Sequence, residues 1–164
     1  MSSSSSSLTH LFENELKDIY DAEQRIDEAL GEMAEEVEHE EIAQAFRDHR
    51  EETEGQIDRL DRVFELIDAS PGDEECEATQ GIIKEHDEFA RSNPEQGELD
   101  VFDITAGQKT EHYEIATYGN LAKLADKLGM DEAGDLLHQN LEEEEEFLDR
   151  LVELTESYDY DQLT

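Results

Sequence analysis

One glutamate interrupts an apolar helix face near the start of the chain. Apolar residues recur there with the alternating three-and-four spacing of one side of a helix, at Phe12, Leu16, Ile19, Ile26, Leu30, Met33 and Val37. Glu23 occupies the position in this stripe between Ile19 and Ile26. A carboxylate on a buried face needs a partner, because burial of an unpaired charge is costly. A metal ion meets that need, so Glu23 is a candidate metal ligand.

Two later stretches place acidic residues on helix faces in the same way. His49 and Glu52 are three residues apart and project together, so an imidazole and a carboxylate could bind one ion between them. Further along, Glu111 shares an inward face with either Glu114 or Ile115. These side chains are candidate ligands on two more helices.

A fourth stretch contains a candidate whose position stays open. Residues 142–146 are all glutamates, so one of them faces inward whatever the rotation of the helix. The stripe of Leu141, Leu148 and Leu151 favours Glu144, but a small shift of the helix boundary would turn another glutamate inward. Four helices that each contribute about one central acid predict a dinuclear site, in which carboxylates and a histidine hold two ions.

The remaining histidines are weaker candidates. His112 lies next to Glu111 and could orient a ligand through a hydrogen bond, whereas the helix face that carries His138 is undetermined. The others are interpreted as surface or tail residues, namely His10, His39 and His86.

Helices separated by short breaks would carry these side chains. The apolar spacing predicts helices over residues 8–37, 41–67, 74–91, 101–128 and 131–157. Thr9 is a candidate N-cap of the first helix, and Pro71, Pro94 and Gly129 mark breaks between helices. No stretch alternates as a strand does. We therefore predict an all-α fold, an antiparallel four-helix bundle with an additional short crossover helix.

The predicted bundle is a single domain with short tails. It spans residues 8–157, after a disordered serine-rich tail of residues 1–7 and before a C-terminal tail of residues 158–164. The single cysteine, Cys76, cannot form an internal disulfide, which fits a reducing cytoplasm. No apolar run approaches the roughly 20 residues that span a bilayer, and the serine-rich start is not a secretory signal.

The composition is strongly acidic. The 164 residues include 48 Asp and Glu against 12 Lys and Arg, which gives a formal net charge of −36. Disordered acidic chains lack regularly spaced apolar residues, so this charge indicates a folded protein with an acidic surface. Such a surface resembles that of cytosolic proteins from salt-accumulating halophilic archaea, where salt screens the repulsion. The same charge disfavours nucleic acid and anionic membranes as partners.

Five segments of the sequence are distinctive, at residues 16–23, 46–53, 76–78, 111–116 and 141–145, and the most specific part is His-Tyr-Glu-Ile-Ala, which begins at His112. Together these segments resemble the YciE/YciF family of ferritin-like stress proteins, which implies a ferritin-like form of the four-helix bundle. The resemblance extends over residues 8–155. It implies a rubrerythrin-like bundle, commonly dimeric, with a di-metal centre.

The resemblance also implies a ligand set. The acidic and histidine positions of the family fall on Glu23, His49, Glu52, Glu111, Glu114 and either Glu143 or Glu144. The family often has glutamate where this chain has Gln80. A ligand set rich in carboxylates favours two iron ions, or manganese, over metals that prefer sulfur.

The leading hypothesis is a cytoplasmic di-iron or di-manganese protein of the stress response. It would react with oxygen or peroxide, with an oxidase-like or peroxidase-like activity. In this hypothesis Glu52 and Glu144 bridge the ions, Glu23 and Glu111 cap them, and His49 completes one coordination shell. An electron or a proton could pass through a tyrosine, with Tyr20, Tyr113 and Tyr118 as the candidates.

The alternative is a non-catalytic helical stress or scaffold protein that acts as a homodimer. Its buried polar residues would serve pairing specificity, at a cost in stability. A structural polar core of this kind needs Arg or Lys partners, so metal occupancy separates the two hypotheses. A third idea, an iron-storage shell, lacks any identified contact between subunits.

Overall fold

The protein is an all-α bundle in a computed structural model that describes residues 7–163. Its helices are α1 (Ser7–Glu36), α2 (Glu40–Leu66), α3 (Glu77–Arg91), α4 (Gln96–Leu128) and α5 (Asp131–Ser157), followed by a short 3-10 helix (Tyr160–Leu163). No strand occurs within these residues, so the predicted fold class is confirmed. The predicted serine-rich tail lies outside the described residues except for Ser7, the first residue of α1.

The four long helices α1, α2, α4 and α5 form the bundle, and neighbouring helices run antiparallel. Tyr20 on α1 donates a hydrogen bond to Asp61 on α2, and Asp27 further along α1 accepts one from Arg50. Residue numbers therefore rise along α1 as they fall along α2. The shorter α3 packs on α1 and α4, as expected for a crossover between α2 and α4.

The core lies along the bundle axis, where the predicted apolar stripes face one another. Every apolar member of the α1 stripe is buried, and so is Glu23 in its middle. Burial of each large apolar side chain contributes about 1.5–3 kcal/mol, which holds the flanking turns in place around the glutamate. Within residues 7–163, no helix has the length and the apolar character needed to cross a bilayer.

Two helix starts differ from the sequence prediction because of capping. α4 begins at Gln96 instead of residue 101, since Glu95 and Glu98 form a capping box in which the Glu98 side chain accepts a bond from the Glu95 N–H. α3 begins at Glu77 instead of residue 74, with Cys76 as its N-cap. Thr9 is not an N-cap, because α1 already includes Ser7.

Candidate metal centre

Three helices bring four ionisable side chains together at the centre of the bundle. His49 comes from α2, Glu111 and Glu114 from α4, and Glu144 from α5. Each can offer a ligand atom such that all of these atoms lie within 4.8 Å of one another. All four residues are at most 1% exposed. This cluster, with the neighbouring Glu23, is called the buried cluster below.

The His49 ring is fixed by its surroundings. It stacks on Phe147 of α5, with ring centroids 3.7 Å apart and an interplanar angle of 9°. His49 Nε2 lies 3.2 Å from Glu144 Oε2 and 3.4 Å from Glu111 Oε1, and neither contact has hydrogen-bond geometry. Nδ1, at the other edge of the ring, lies 2.9 Å from Glu52 Oε2. Nε2 is therefore the nitrogen available to a metal ion.

Glu23 joins the cluster from α1. Tyr118 is fully buried, and its hydroxyl donates a hydrogen bond of 2.5 Å to Glu23 Oε1. The charge of Glu23 contributes to the raised pKa of Glu114, so the two carboxylates lie within electrostatic reach of each other. All four long helices thus contribute side chains to the buried cluster.

Most of the polar atoms in the buried cluster are unpaired. Among the described residues, the atoms that lack a hydrogen-bond partner include Glu23 Oε2, His49 Nε2, Glu111 Oε2 and both carboxylate oxygens of Glu114 and of Glu144. A buried polar atom without a partner costs about 1–3 kcal/mol, and a charged one costs more. Four carboxylates and one imidazole form an oxygen-rich ligand set, and two divalent cations would balance four negative charges. The residues present therefore fit a pair of metal ions.

The pKa values show what the cluster does without cations. Burial, together with the charge of Glu144, raises the pKa of Glu23 to about 8. Burial and the neighbouring carboxylates also raise the pKa of Glu111 and of Glu114 well above the usual value. Burial alone would lower the pKa of His49, but the charges of Glu111 and Glu144 outweigh this effect and raise it. The metal-free cluster therefore holds protons that bound cations would displace.

The structure settles which residue of the glutamate run faces inward. Glu144 is fully buried in the cluster, whereas Glu143 lies at the flank of α5. Arg59 of α2 binds the Glu143 carboxylate through both of its terminal nitrogens, at 2.8 and 2.6 Å. Glu143 therefore has an arginine partner on α2, whereas Glu144 pairs with no Lys or Arg among the described residues and faces the His49 imidazole instead.

Glu52 occupies a different place from the other predicted ligands. Its side chain is 46% exposed, and it contacts His49 at Nδ1, away from Glu111 and Glu144. Glu52 follows His49 by three residues on α2, and its side chain projects nearer to the surface of the protein. Glu52 is therefore positioned to orient the imidazole, and the structure does not bring it to the bridging position that the sequence hypothesis assigned to it.

Two histidines lie elsewhere than expected. His112 is exposed and so is not placed to orient a ligand. His86, interpreted from sequence as a surface residue, is only 8% exposed and contacts the fully buried Asp103. A signal for this burial exists, because His86 stands three residues after Ile83 and three before Phe89, on the apolar face of α3.

A cavity of about 40 Å³ reaches the buried cluster from the side of α3. Its walls are mainly apolar, with Ile26, Leu30, Met33, Ile83 and Ala106 among them. The exposed Glu32 lines it at the surface, and the buried Glu111 lines it inside. The cavity is large enough for a molecule of two or three non-hydrogen atoms.

Comparison with known proteins places the chain in a family. Residues 7–162 match the model of DUF892, described as a domain of unknown function. The chain is 43% identical over 130 residues to protein YciF of Escherichia coli strain K12, an alignment that covers 79% of this chain and 78% of that protein.

Solved structures agree with this match. The crystal structure of the E. coli stress protein YciF has a TM-score of 0.87 at 39% identity, covering 92% of this chain and 95% of that one. YcfI from Rhodopseudomonas palustris has a TM-score of 0.85 at 38% identity, covering 92% and 96%. A protein from Xanthomonas campestris pv. campestris shares the fold, with a TM-score of 0.74 at 22% identity and 92% coverage of both chains.

Proposed function

The chain belongs to the DUF892 family, and we propose that it is a ferritin-like dinuclear metal protein that reacts with oxygen or peroxide. The observation that carries the proposal is the set of unpaired, fully buried carboxylate oxygens around His49 Nε2. Glu23, His49, Glu111, Glu114 and Glu144 would hold the ions. A ligand set of carboxylates with one imidazole favours iron, with manganese as the alternative.

The side chains around the ligands would prepare the site for this chemistry. Phe147 and Glu52 hold the His49 ring so that Nε2 faces the carboxylates. Tyr118 stabilises the charged form of Glu23 by donating a hydrogen bond to it. The bound pair of ions would supply the redox chemistry towards oxygen or peroxide.

The cavity beside α3 supports a small, uncharged oxidant. Its mainly apolar walls, together with the carboxylates of Glu32, Asp87 and Glu111 that also line it, disfavour anions, because an anion would lose its hydration there and be repelled. Oxygen and hydrogen peroxide carry no charge and fit a volume of about 40 Å³. The inner end of the cavity lies at Glu111, a member of the proposed ligand set.

The physiological setting is part of the proposal. The related E. coli protein is described as a stress protein, which supports a role in the stress response. The net charge of −36 supports the cytoplasm of a salt-accumulating organism. The proposed homodimer rests on the resemblance to the family.

The scaffold alternative would require basic partners for the buried acids. Among residues 7–163, no Lys or Arg forms an ion pair with Glu23, Glu111, Glu114 or Glu144. The nearby Arg59 pairs with Glu143 instead. This arrangement favours metal ions over a self-sufficient polar core.

A reaction with oxidant tests the proposal. The protein in molar KCl is loaded with Fe²⁺ without oxygen and mixed with oxygen or hydrogen peroxide, and iron oxidation is followed by absorbance. We expect oxidation at least about 10-fold faster than that of free Fe²⁺, and a loss of this acceleration in Glu144→Gln. Glu145→Gln, which changes an exposed neighbour, is the matched control. Oxidation at the rate of free Fe²⁺ in the wild type would reject the proposed reaction.

A further inference from the structure

A second group of metal-ligating residues lies where α1, α3 and α4 meet. His86 Nε2 on α3 is 2.6 Å from Asp103 Oδ1 on α4 and 3.4 Å from Glu36 Oε2 at the end of α1. The three residues can offer ligand atoms that all lie within 4.8 Å of one another. None of them belongs to the buried cluster.

The hydrogen bond to His86 leaves Asp103 only half satisfied. Asp103 is fully buried, and within the described residues its Oδ2 has no hydrogen-bond partner. A buried carboxylate oxygen without a partner is costly, so the imidazole alone does not account for this residue. An additional cationic group beside the carboxylate would account for it.

The surroundings would attract a cation. An open groove on this side of the molecule is lined by His86 and by the carboxylates of Glu32, Glu35, Glu36 and Asp87. The basic residue in the groove, Arg91, lies 3.5 Å from Asp87 and so offsets one of these charges. The remaining carboxylates raise the local concentration of cations at the surface of the site.

We propose that Glu36, His86 and Asp103 form a second site for a divalent cation. An imidazole with two carboxylates suits a first-row divalent ion such as Zn²⁺, Fe²⁺ or Mn²⁺. In a tetrahedral site with ligand distances of about 2.1 Å, neighbouring ligand atoms are about 3.4 Å apart, close to the separation of His86 Nε2 and Glu36 Oε2. A bound ion would replace the 2.6 Å hydrogen bond between His86 Nε2 and Asp103 Oδ1, and these two atoms would move apart by about 0.8 Å. The site does not depend on the proposed function, because it shares no ligand with the buried cluster.

A Co²⁺ titration followed by visible absorption tests this site. The titration uses the full chain in molar KCl, which suppresses weak binding to the acidic surface, and a Glu111→Gln/Glu144→Gln background that disables the buried cluster. We expect one Co²⁺ per chain in this background. His86→Gln and Asp103→Asn should each abolish it, while His138→Gln, at an exposed histidine, should retain it.

His86→Gln and Asp103→Asn are conservative substitutions, so that a loss of Co²⁺ binding can be distinguished from misfolding. Glutamine and asparagine can keep a hydrogen bond between positions 86 and 103, and circular dichroism checks that the helices persist. A folded His86→Gln variant that still binds Co²⁺ with the same spectrum and stoichiometry would overturn the site. The absence of bound Co²⁺ in the background variant would overturn it as well.

Discussion

His49 is contacted at both edges of its ring, and the two edges have different roles. Nε2 faces the unpaired carboxylates, whereas Nδ1 meets the half-exposed Glu52 at 2.9 Å. A carboxylate that accepts a hydrogen bond from Nδ1 fixes the tautomer with a free Nε2 and makes that nitrogen a better ligand. Glu52 therefore acts on the metal through His49.

Replacement of Glu52 by glutamine tests this role. We expect Glu52→Gln to weaken metal binding by about 10–100-fold while the number of ions bound at saturation stays the same. Titration of the metal-free protein with Fe²⁺ or Mn²⁺ gives both quantities. Glu51→Gln, at an exposed neighbour, should change neither. A lower number of ions in Glu52→Gln would instead make Glu52 a direct ligand.

For individual residues, the sequence identified candidate ligand side chains better than it identified the contacts that they make. Glu23 was found because it interrupts a stripe whose other members are all apolar. Glu144 could not be separated from its neighbours, since a small rotation of α5 exchanges them and only packing against α2 selects one. The spacing on α3 indicates that His86 is buried, but its contact with Asp103 depends on how α3 lies against α4, which local spacing does not report.

α4 ends at a glycine whose backbone conformation a side chain would strain. Gly129 has a φ of 70°, in the left-handed region, and its N–H bonds back to the carbonyl of Asp126. Gly119 lies inside the same helix, and a Cβ at this position would meet nothing within 4 Å. The two glycines therefore offer a matched pair of sites for alanine.

The two alanine variants should shift stability in opposite directions. We expect Gly129→Ala to lower the free energy of unfolding by about 1–2 kcal/mol, because alanine is strained in the left-handed region. Gly119→Ala should raise it by about 0.5–1 kcal/mol, because glycine loses more backbone entropy in a helix. Denaturant unfolding in molar KCl measures both. Equal effects of the same sign would contradict this account of the end of α4.

The helices themselves were predicted correctly from the sequence, whereas the residues at which they begin were predicted less accurately. The ends that depend on glycine or proline, such as the break at Gly129, follow from one residue and were found in the sequence. The start of α4 depends on a reciprocal capping interaction between Glu95 and Glu98. In a chain with 48 acids, such a pair of glutamates does not stand out from its surroundings.

Across the whole molecule, the buried cluster makes the stability of the metal-free protein depend on pH. The folded protein raises the pKa of Glu23 from 4.5 to about 8, and it raises those of Glu111 and Glu114 as well. The folded state therefore binds more protons than the unfolded state. The stability from these protonated acids is fully present below pH 4.5 and, for Glu23, is lost as the pH rises to about 8.

The slope of the free energy of unfolding against pH tests whether the buried cluster holds these protons. We expect the free energy of unfolding of the metal-free protein to fall by about 1.4 kcal/mol per pH unit for each extra proton held. Glu114→Gln, which cannot release a proton, should have a shallower slope between about pH 4.5 and 8. Glu145→Gln controls for the general relief of acidic repulsion. Identical slopes in the wild type and Glu114→Gln would contradict the proposed protonation.

The global fold was the part most accessible from sequence. Long amphipathic segments and short breaks leave a helical bundle as the natural arrangement, and the 3.6-residue period identifies the face of each helix that turns inward. The crossover by α3 and the cavity beneath it depend on the packing of three helices. They could be found only in the structure.

Metal content is the measurement that tests the central claim most directly. The protein is purified in molar KCl, loaded with iron or manganese and analysed by mass spectrometry, alongside Glu23→Ala, His49→Ala and the control Glu145→Gln. We expect the wild type and the control to hold about two more ions per chain than Glu23→Ala, and His49→Ala to hold fewer ions than the wild type. A folded wild type that carries no metal and cannot be loaded would contradict the dinuclear site.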